Sequence, residues 1–254
     1  MKLKVLGCSG GLGGRLRSTA FLVDDDVLID AGTGLVDLGL TALTRINHVF
    51  VTHAHLDHIA CLPLLVDTVA HRRHSPVTIH APADVIAALR EHIFNWKIWP
   101  DFTRIPSAEQ PYLHFQPMLP GEACLCGARR FMTIPALHTV PAVGYHVDSG
   151  QGSLIFSGDT ASNAALWDYA NGISNLRHVI IETAFSNQDA HIAVASKHLW
   201  PELLAAELAK LERPAQIHIT HLKPGDAQKI MRQIRDSTNV HIPQMLRHGQ
   251  VLEF

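Results

Sequence analysis

Short apolar runs alternate along the chain with longer stretches in which apolar residues recur every three or four positions, and these patterns predict strands and helices respectively. In the first half, the predicted strands cover residues 2–7, 20–23, 27–30, 47–52 and 77–80. In the second half, they cover residues 129–135, 142–147, 153–157, 177–182 and 216–220, and a short strand ends the chain. Helices are predicted over residues 59–71, 83–94, 161–171, 201–212 and 226–237.

The predicted strands fall into two groups, and helices follow each group. This order indicates an α/β fold in which two sheets pack face to face with helices outside. A single doubly wound sheet is the alternative, but the Gly-rich loop at 9–14 is not followed by a convincing helix, as a dinucleotide site would require. No linker or repeat interrupts the chain, so residues 1–254 are predicted to form one domain.

Residues 95–128 have no clear period. This segment contains Trp96, Trp99, Phe102 and several prolines. We expect it to be irregular and to serve as a lid or a packing insertion.

Composition excludes several classes of protein. With 47% apolar and 17% charged residues, the chain can bury a sizeable core and does not belong to the disordered class. A formal net charge of -2 provides no basic face for a stable nucleic-acid partner. No apolar run approaches the length of a membrane span, and the N-terminal sequence does not have the form of a signal peptide. We therefore expect a cytoplasmic protein without a membrane partner.

The four cysteines do not indicate a disulfide framework or a zinc finger. They are Cys8, Cys61, Cys124 and Cys126, and no two of them form a CxxC pair. Cys124 and Cys126 are too close in sequence for an ordinary disulfide. We expect reduced thiols of a cytosolic protein, and no chemistry at positions 124 and 126.

Eighteen histidines in 254 residues justify a search for metal sites, and the strongest signal is the segment at 52–58, Thr-His-Ala-His-Leu-Asp-His. His53 and His55 are two positions apart, so in an extended chain they point the same way. Asp57 and His58 lie where the chain turns into a helix, and they can face a second centre. One tetrahedral ion cannot use all four side chains, whereas two adjacent ions can. Imidazole and carboxylate together suit zinc, with manganese or iron as alternatives.

Three distant residues can complete two coordination shells. His138, Asp159 and His221 each stand just after an apolar strand. Taken singly, each is weak evidence, because a lone histidine after a strand is usually structural or merely exposed.

The chain resembles the metallo-β-lactamase superfamily in His-Ala-His-Leu-Asp-His at 53–58, His138, Gly-Asp-Thr at 158–160 and Thr-His at 220–221. The resemblance implies an αββα sandwich with two metal ions at one edge. It also implies the ligand sets: His53, His55 and His138 on one ion, Asp57, His58 and His221 on the other, and Asp159 bridging them.

Three departures narrow the choice within that superfamily. His58 is not an arginine, and no cysteine ligand accompanies Asp159, which disfavours a true β-lactamase. His55 is not a glutamate, which disfavours a di-iron flavoprotein.

Further segments resemble the class II 3′,5′-cyclic-nucleotide phosphodiesterases, at 55–58, 94–102, 181–187, 196–201 and 220–224. Trp200 and Cys61 depart from the small residues that are usual there, which affects the expected shape of the pocket. The resemblance implies a small-molecule substrate, a cyclic nucleotide. A metal-bridging hydroxide would attack phosphorus, the 3′-oxygen would leave, and the product would be a nucleoside 5′-monophosphate.

Three residues are assigned catalytic roles. His198 is the candidate general acid for the leaving oxygen, because imidazole titrates near neutral pH. Glu182 would orient that ring, and Asp57 would act in catalysis as well as in metal binding. The alternative is structural: His198 would cap its helix and Glu182 would make an ordinary hydrogen bond. The candidate substrate contacts are Asn187, Lys223 and Trp96.

Other functions remain open at this point. A tRNA 3′-processing endonuclease shares the metal motifs, but the chain shows no basic arm for RNA. A hydrolase of a lactone, thioester or other small ester is a third hypothesis, and a metal-binding protein without catalytic activity is a fourth. A homodimer is the one protein partnership expected.

Overall fold

The computed structural model describes residues 1–238 and 240–254, and this part of the chain contains two seven-stranded sheets. The first sheet has the order β14-β1-β2-β3-β4-β5-β6, with β1 (Lys2–Gly7), β2 (Ala20–Val23), β3 (Val27–Ile29), β4 (His48–Phe50), β5 (Val77–Ala81), β6 (Leu113–Pro117) and β14 (Val251–Glu253). The second has the order β13-β12-β11-β10-β9-β8-β7, with β7 (Ala123–Cys126), β8 (Arg129–Pro135), β9 (Val143–Asp148), β10 (Ser153–Phe156), β11 (Leu176–Glu182), β12 (Gln216–Thr220) and β13 (Gln244–Met245).

Helices cover the outer face of each sheet. Those of the first half are α1 (Leu40–Leu43), α2 (Leu56–Ile59), α3 (Leu62–Val69) and α4 (Ala83–His92). Those of the second half are α5 (Ala164–Asn171), α6 (Ala190–Ser196), α7 (Pro201–Leu208) and α8 (Ala227–Ser237). Among the helices in residues 1–238 and 240–254, none combines the length and the apolar character that crossing a bilayer requires.

The core is divided into three layers by the two sheets. On β2, Phe21 and Val23 point into the layer between the sheets, whereas Leu22 packs outward against the helices of the first half. The rings of Phe50 and Phe131 stack across the central layer with centroids 4.1 Å apart. Strands inside each sheet, such as β2, β3 and β10, are therefore buried on both faces, which explains why they are continuous apolar runs in the sequence.

This architecture confirms the predicted αββα sandwich, and the alternative of a single doubly wound sheet is wrong. The prediction that 95–128 is irregular is also wrong in part, because the segment contains β6 and β7. β6 pairs in parallel with β5, and β7 pairs antiparallel with β8. Both are edge strands, where exposed polar positions and a terminal proline are tolerated. Their sequences therefore lack the apolar runs from which the other strands were predicted.

Candidate metal centre

The candidate centre lies where several strands end. β10, β11 and β12 run parallel to one another, so their carboxyl ends lie at one edge of the second sheet. Asp159 follows β10 and His221 follows β12, while His138 follows β8. The loop after β4 brings the segment 53–58 to the same edge, where His55 precedes the first turn of α2.

One group of donors consists of His53, His55 and His138. One ring nitrogen from each lies within 4.8 Å of the other two. The closest approach is 3.2 Å, between His138 Nε2 and His55 Nδ1. Three histidines from two distant parts of the chain therefore face a common point.

A second group consists of Asp57, His58 and His221, whose donor atoms also lie within 4.8 Å of one another. Asp159 lies between the groups: its Oδ2 is 3.7 Å from His53 Nε2 and 3.3 Å from His58 Nε2. Its Oδ1 is 3.4 Å from His221 Nδ1. The structure thus brings together all seven side chains that the sequence singled out as metal ligands.

The donor atoms fit divalent cations because several of them are buried without a hydrogen-bond partner. Within the described residues, these atoms are His53 Nε2, His58 Nε2, Asp159 Oδ1 and both ring nitrogens of His221. An unpaired buried polar atom costs about 1–3 kcal/mol. Two cations placed among these donors would satisfy the Nε2 atoms of His53 and His58, the Asp159 oxygen and one ring nitrogen of His221.

Burial keeps most of these imidazoles in the form that binds metal. It lowers the pKa of His138 to about 4 and that of His221 to about 3, and it holds the pKa of His53 well below its usual value. Burial also acts on His58, but the Asp159 and Asp30 carboxylates outweigh it and raise the pKa of that ring. A cation at His58 Nε2 would therefore displace a proton.

Asp30 is a component of the site that the sequence did not reveal. Its Oδ2 accepts a 2.7 Å hydrogen bond from His58 Nδ1, and its Oδ1 accepts a 2.8 Å bond from the Thr52 amide. The Thr52 hydroxyl donates to Asp30 and accepts from His53 Nδ1 at 3.0 Å. These bonds fix both rings with Nε2 toward the centre. The available signal was a carboxylate directly after the buried strand β3, similar to the placement of Asp159 after β10.

Glu182 and His198 form a buried pair beside the centre. Glu182 ends β11 and is fully buried, and its Oε1 accepts a 2.9 Å hydrogen bond from His198 Nδ1. The same oxygen accepts from the amides of Thr160 at 3.1 Å and Leu199 at 3.3 Å. The His198 ring stacks on His221 with centroids 5.2 Å apart, and 8% of the side chain remains exposed.

Lys197 connects this pair to the first group of donors. Its backbone adopts the left-handed conformation, with φ 54°. The backbone carbonyl of Lys197 accepts a hydrogen bond from His138 Nδ1 at 3.2 Å. The side-chain Nζ of Lys197 donates a hydrogen bond to the backbone carbonyl of His138 at 3.0 Å. The two bonds fix the ring of His138 with Nε2 toward His55.

The Gly-rich loop supports the other side of the centre. A Cβ at Gly10 would lie 2.3 Å from the carbonyl oxygen of His221, so a side chain is excluded there. The His221 amide donates to the Cys8 carbonyl at 2.9 Å, and the His221 backbone has φ 63°. The loop at 9–14 is therefore a packing element that fixes a left-handed turn.

The three candidate substrate contacts have different surroundings. Lys223 is two residues from His221, and its Nζ donates to the Gly10 carbonyl at 2.8 Å. The side-chain nitrogen of Asn187 donates to the Glu202 carboxylate, and the side-chain oxygen of Asn187 accepts from the Glu202 backbone amide. Trp96 is 59% exposed on a loop. In the part of the chain that the structure describes, Asn187 makes no hydrogen bond to the clustered histidines and the Trp96 ring does not stack on them. The substrate roles of Asn187, Lys223 and Trp96 stay predictions.

Known proteins share both the sequence pattern and the fold. A family model described as the beta-lactamase superfamily domain matches residues 25–242. A Yersinia pestis protein named probable 3′,5′-cyclic-nucleotide phosphodiesterase is 29% identical over 207 residues, which are 72% of this chain and 59% of that protein. A ribonuclease Z of Methanococcus maripaludis is 29% identical over 104 residues, 40% of this chain and 31% of that protein. The chain thus spans less than two thirds of the length of either relative.

The crystal structure of unliganded yeast PDE1 superposes with a TM-score of 0.84 at 17% identity, covering 100% of this chain and 99% of that one. At that identity, the superposition demonstrates a shared fold. The family match covers most of the sequence, including all seven clustered donors. The chain therefore belongs to the beta-lactamase superfamily.

Proposed function

We propose that the protein is a two-metal phosphodiesterase that hydrolyses 3′,5′-cyclic nucleotides to nucleoside 5′-monophosphates. The observation that carries the proposal is the Glu182–His198 pair, which lies against a centre of seven metal-binding side chains. Hydrolysis of a phosphodiester needs both an activated water and a proton for the leaving alkoxide. The name of the Yersinia pestis relative supports the choice of a cyclic nucleotide.

Two divalent ions, best matched by zinc, would be held in the sets His53, His55, His138 and Asp57, His58, His221, with Asp159 shared. When bound, such ions lower the pKa of water to near neutrality and withdraw charge from the phosphate oxygens. Manganese or iron would suit the same nitrogen and oxygen donors.

His198 would protonate the leaving 3′-oxygen. Its Nδ1–H is held by Glu182, so the proton available for transfer is on Nε2. Burial lowers the pKa of His198, but the Glu182 carboxylate outweighs burial and raises the pKa above its usual value. The Glu182 carboxylate therefore favours the doubly protonated ring, which is the form that a general acid requires.

Asp57 would act at the opposite end of the reaction. Its side chain is 32% exposed, and its Oδ2 lies 3.6 Å from His221 Nε2. Its carboxylate has two oxygens, so one can serve as a ligand while the other accepts a proton from the attacking water. Asp57 and His198 would thus divide the two proton transfers between them.

Precursor tRNA is the competing substrate, because part of the chain is similar to a ribonuclease Z. That similarity covers only 40% of this chain, and the formal charge of -2 provides little attraction for a polyanion. A small cyclic phosphodiester needs no such charge, because the centre itself would bind its single phosphate.

A substrate panel tests the proposal. The purified protein, loaded with zinc or manganese, is incubated with cyclic AMP, cyclic GMP, a precursor tRNA and a lactone, and the products are separated by chromatography. We expect nucleoside 5′-monophosphates, no product after chelation, and recovery when metal is restored. Cleavage of tRNA or lactone without turnover of either cyclic nucleotide would overturn the proposal.

A further inference from the structure

A second cluster of metal-binding side chains lies between the two sheets, away from the centre described above. His48 is the first residue of β4, at the opposite end of that strand from the loop carrying His53. His80 lies on the neighbouring strand β5. Cys124 and Cys126 are two positions apart on β7 of the second sheet, so their side chains share one face.

The distances in this cluster are those of a metal site. His48 Nδ1 lies 3.0 Å from His80 Nε2, while two nitrogens on one tetrahedral zinc ion are about 3.3 Å apart. The donor atoms of His48, His80 and Cys126 all lie within 4.8 Å of one another. Two imidazoles and a thiol therefore converge on a point between the sheets.

The orientation of His80 is fixed from two sides. Its ring stacks on Phe50, with centroids 4.4 Å apart and planes 11° from parallel. Cys124 Sγ lies 3.4 Å from His80 Nδ1, so the sulfur can accept the Nδ1 proton. That hydrogen bond leaves the Nε2 lone pair directed toward His48. Metal-binding histidines usually donate this second N–H to a carboxylate, a backbone carbonyl or water, and here the Cys124 sulfur takes that place.

The cluster is buried in an otherwise apolar layer. His80 is 4% exposed and Cys126 is 3% exposed. His80 stacks on Phe50, and Cys126 belongs to the same buried apolar cluster as Phe50 and Phe131. Polar groups in such surroundings are costly unless each has a partner. His48 is only half-buried, so the cluster is not wholly closed to solvent.

We propose that His48, His80 and Cys126 bind a third metal ion, zinc, and that Cys124 holds His80 in the binding tautomer. Binding replaces the Cys126 thiol proton, which is released to solvent, by a sulfur–zinc bond. The ion would connect β4 and β5 of the first sheet to the edge strand β7 of the second. This proposal departs from the expectation that the two cysteines carry no chemistry.

Cobalt(II) substitution tests this proposal. A cobalt ion bound by thiolate shows charge-transfer absorption in the near ultraviolet, whereas none of the seven donors of the main centre is a cysteine. We expect this absorption in the cobalt-loaded wild-type protein and its loss in Cys126→Ser. Cys61→Ser is the matched control, because it removes another buried thiol, outside the cluster, and should keep the absorption.

Two further variants keep the test decisive if Cys126→Ser does not fold. His48→Gln changes a half-buried side chain and should also remove the band. Cys124→Ser should weaken cobalt affinity roughly 10–100-fold, as loss of an outer contact does. Absence of the band in the wild type, or its full retention in Cys126→Ser or His48→Gln, would overturn the proposal. The readout is spectroscopic, so it does not depend on any activity toward cyclic nucleotides.

Discussion

Replacing Glu182 by glutamine should shift the pH range in which the enzyme works. The substitution keeps the size of the side chain, and an amide oxygen can still accept from the backbone amides of Thr160 and Leu199, now 3.1 and 3.3 Å from Oε1. It removes the negative charge that faces His198 Nδ1 at 2.9 Å. The fold is thereby retained while the charge on the candidate acid changes.

The sign of the effect follows from the two opposing influences on His198. Burial lowers its pKa and the Glu182 carboxylate raises it, and in the wild type the carboxylate prevails. In the proposed mechanism the protonated ring is the active form, so activity should fall as pH rises through this raised pKa. Without the Glu182 carboxylate its upward effect on the His198 pKa is lost, so the alkaline limb should move to lower pH. If the pKa of His198 falls by one unit, the protonated fraction on that limb falls about tenfold. This change corresponds to about 1.36 kcal/mol.

The assay is kcat for cyclic AMP across the pH range, with metal content measured in parallel. Glu182→Gln should lose activity mainly at alkaline pH, whereas His198→Ala should lose ~10²–10⁴-fold throughout. With bis(p-nitrophenyl) phosphate, whose leaving group needs no proton, both variants should lose far less. An unshifted pH profile in Glu182→Gln would refute the reasoning, and so would equal losses on the two substrates. Loss of metal from His198→Ala would show that this ring is a ligand instead.

Three further substitutions test the supporting structure. Asp30→Asn removes the charged acceptor of His58 Nδ1 and should weaken divalent-metal affinity roughly 10–100-fold by calorimetry; unchanged affinity would contradict this. Glu207→Ala leaves Trp167 Nε1 and the Asn163 amide without their buried acceptor. Each unsatisfied buried group costs about 1–3 kcal/mol, so urea denaturation should show that the free energy of unfolding falls by about 2–6 kcal/mol. Glu207→Gln should lose less, and equal losses in the two variants would count against a role for the hydrogen bonds. Gly10→Ala places a Cβ 2.3 Å from the His221 carbonyl and should weaken metal binding, whereas Gly39→Ala, with nothing within 4 Å, should not; identical affinities would contradict the packing role of the loop.

Much of the fold was predictable because its strands are apolar on both faces. The segment 53–58 was equally visible, since three imidazoles and a carboxylate within six residues do not depend on tertiary context for recognition. His138, Asp159 and His221 became convincing only through the family resemblance. A lone polar residue after a strand is more often structural or simply exposed to solvent, so its position alone does not mark it as a ligand.

The features that escaped prediction depend on pairing between distant strands. Asp30 is one carboxylate among many until the structure places it 2.7 Å from His58. His48 and His80 are 32 residues apart, and His80 and Cys124 are 44 apart. They come together only through the register of β4 with β5 and the packing of β7 across the sandwich. No local spacing encodes such a cluster.

The most direct test of the central claim, that seven side chains hold two metal ions, is anomalous diffraction from zinc-grown crystals at the zinc absorption edge. We expect two strong peaks at the strand ends, one near His53, His55 and His138 and one near Asp57, His58 and His221, with Asp159 between them. A map without peaks there, or with a single peak away from Asp159, would contradict it.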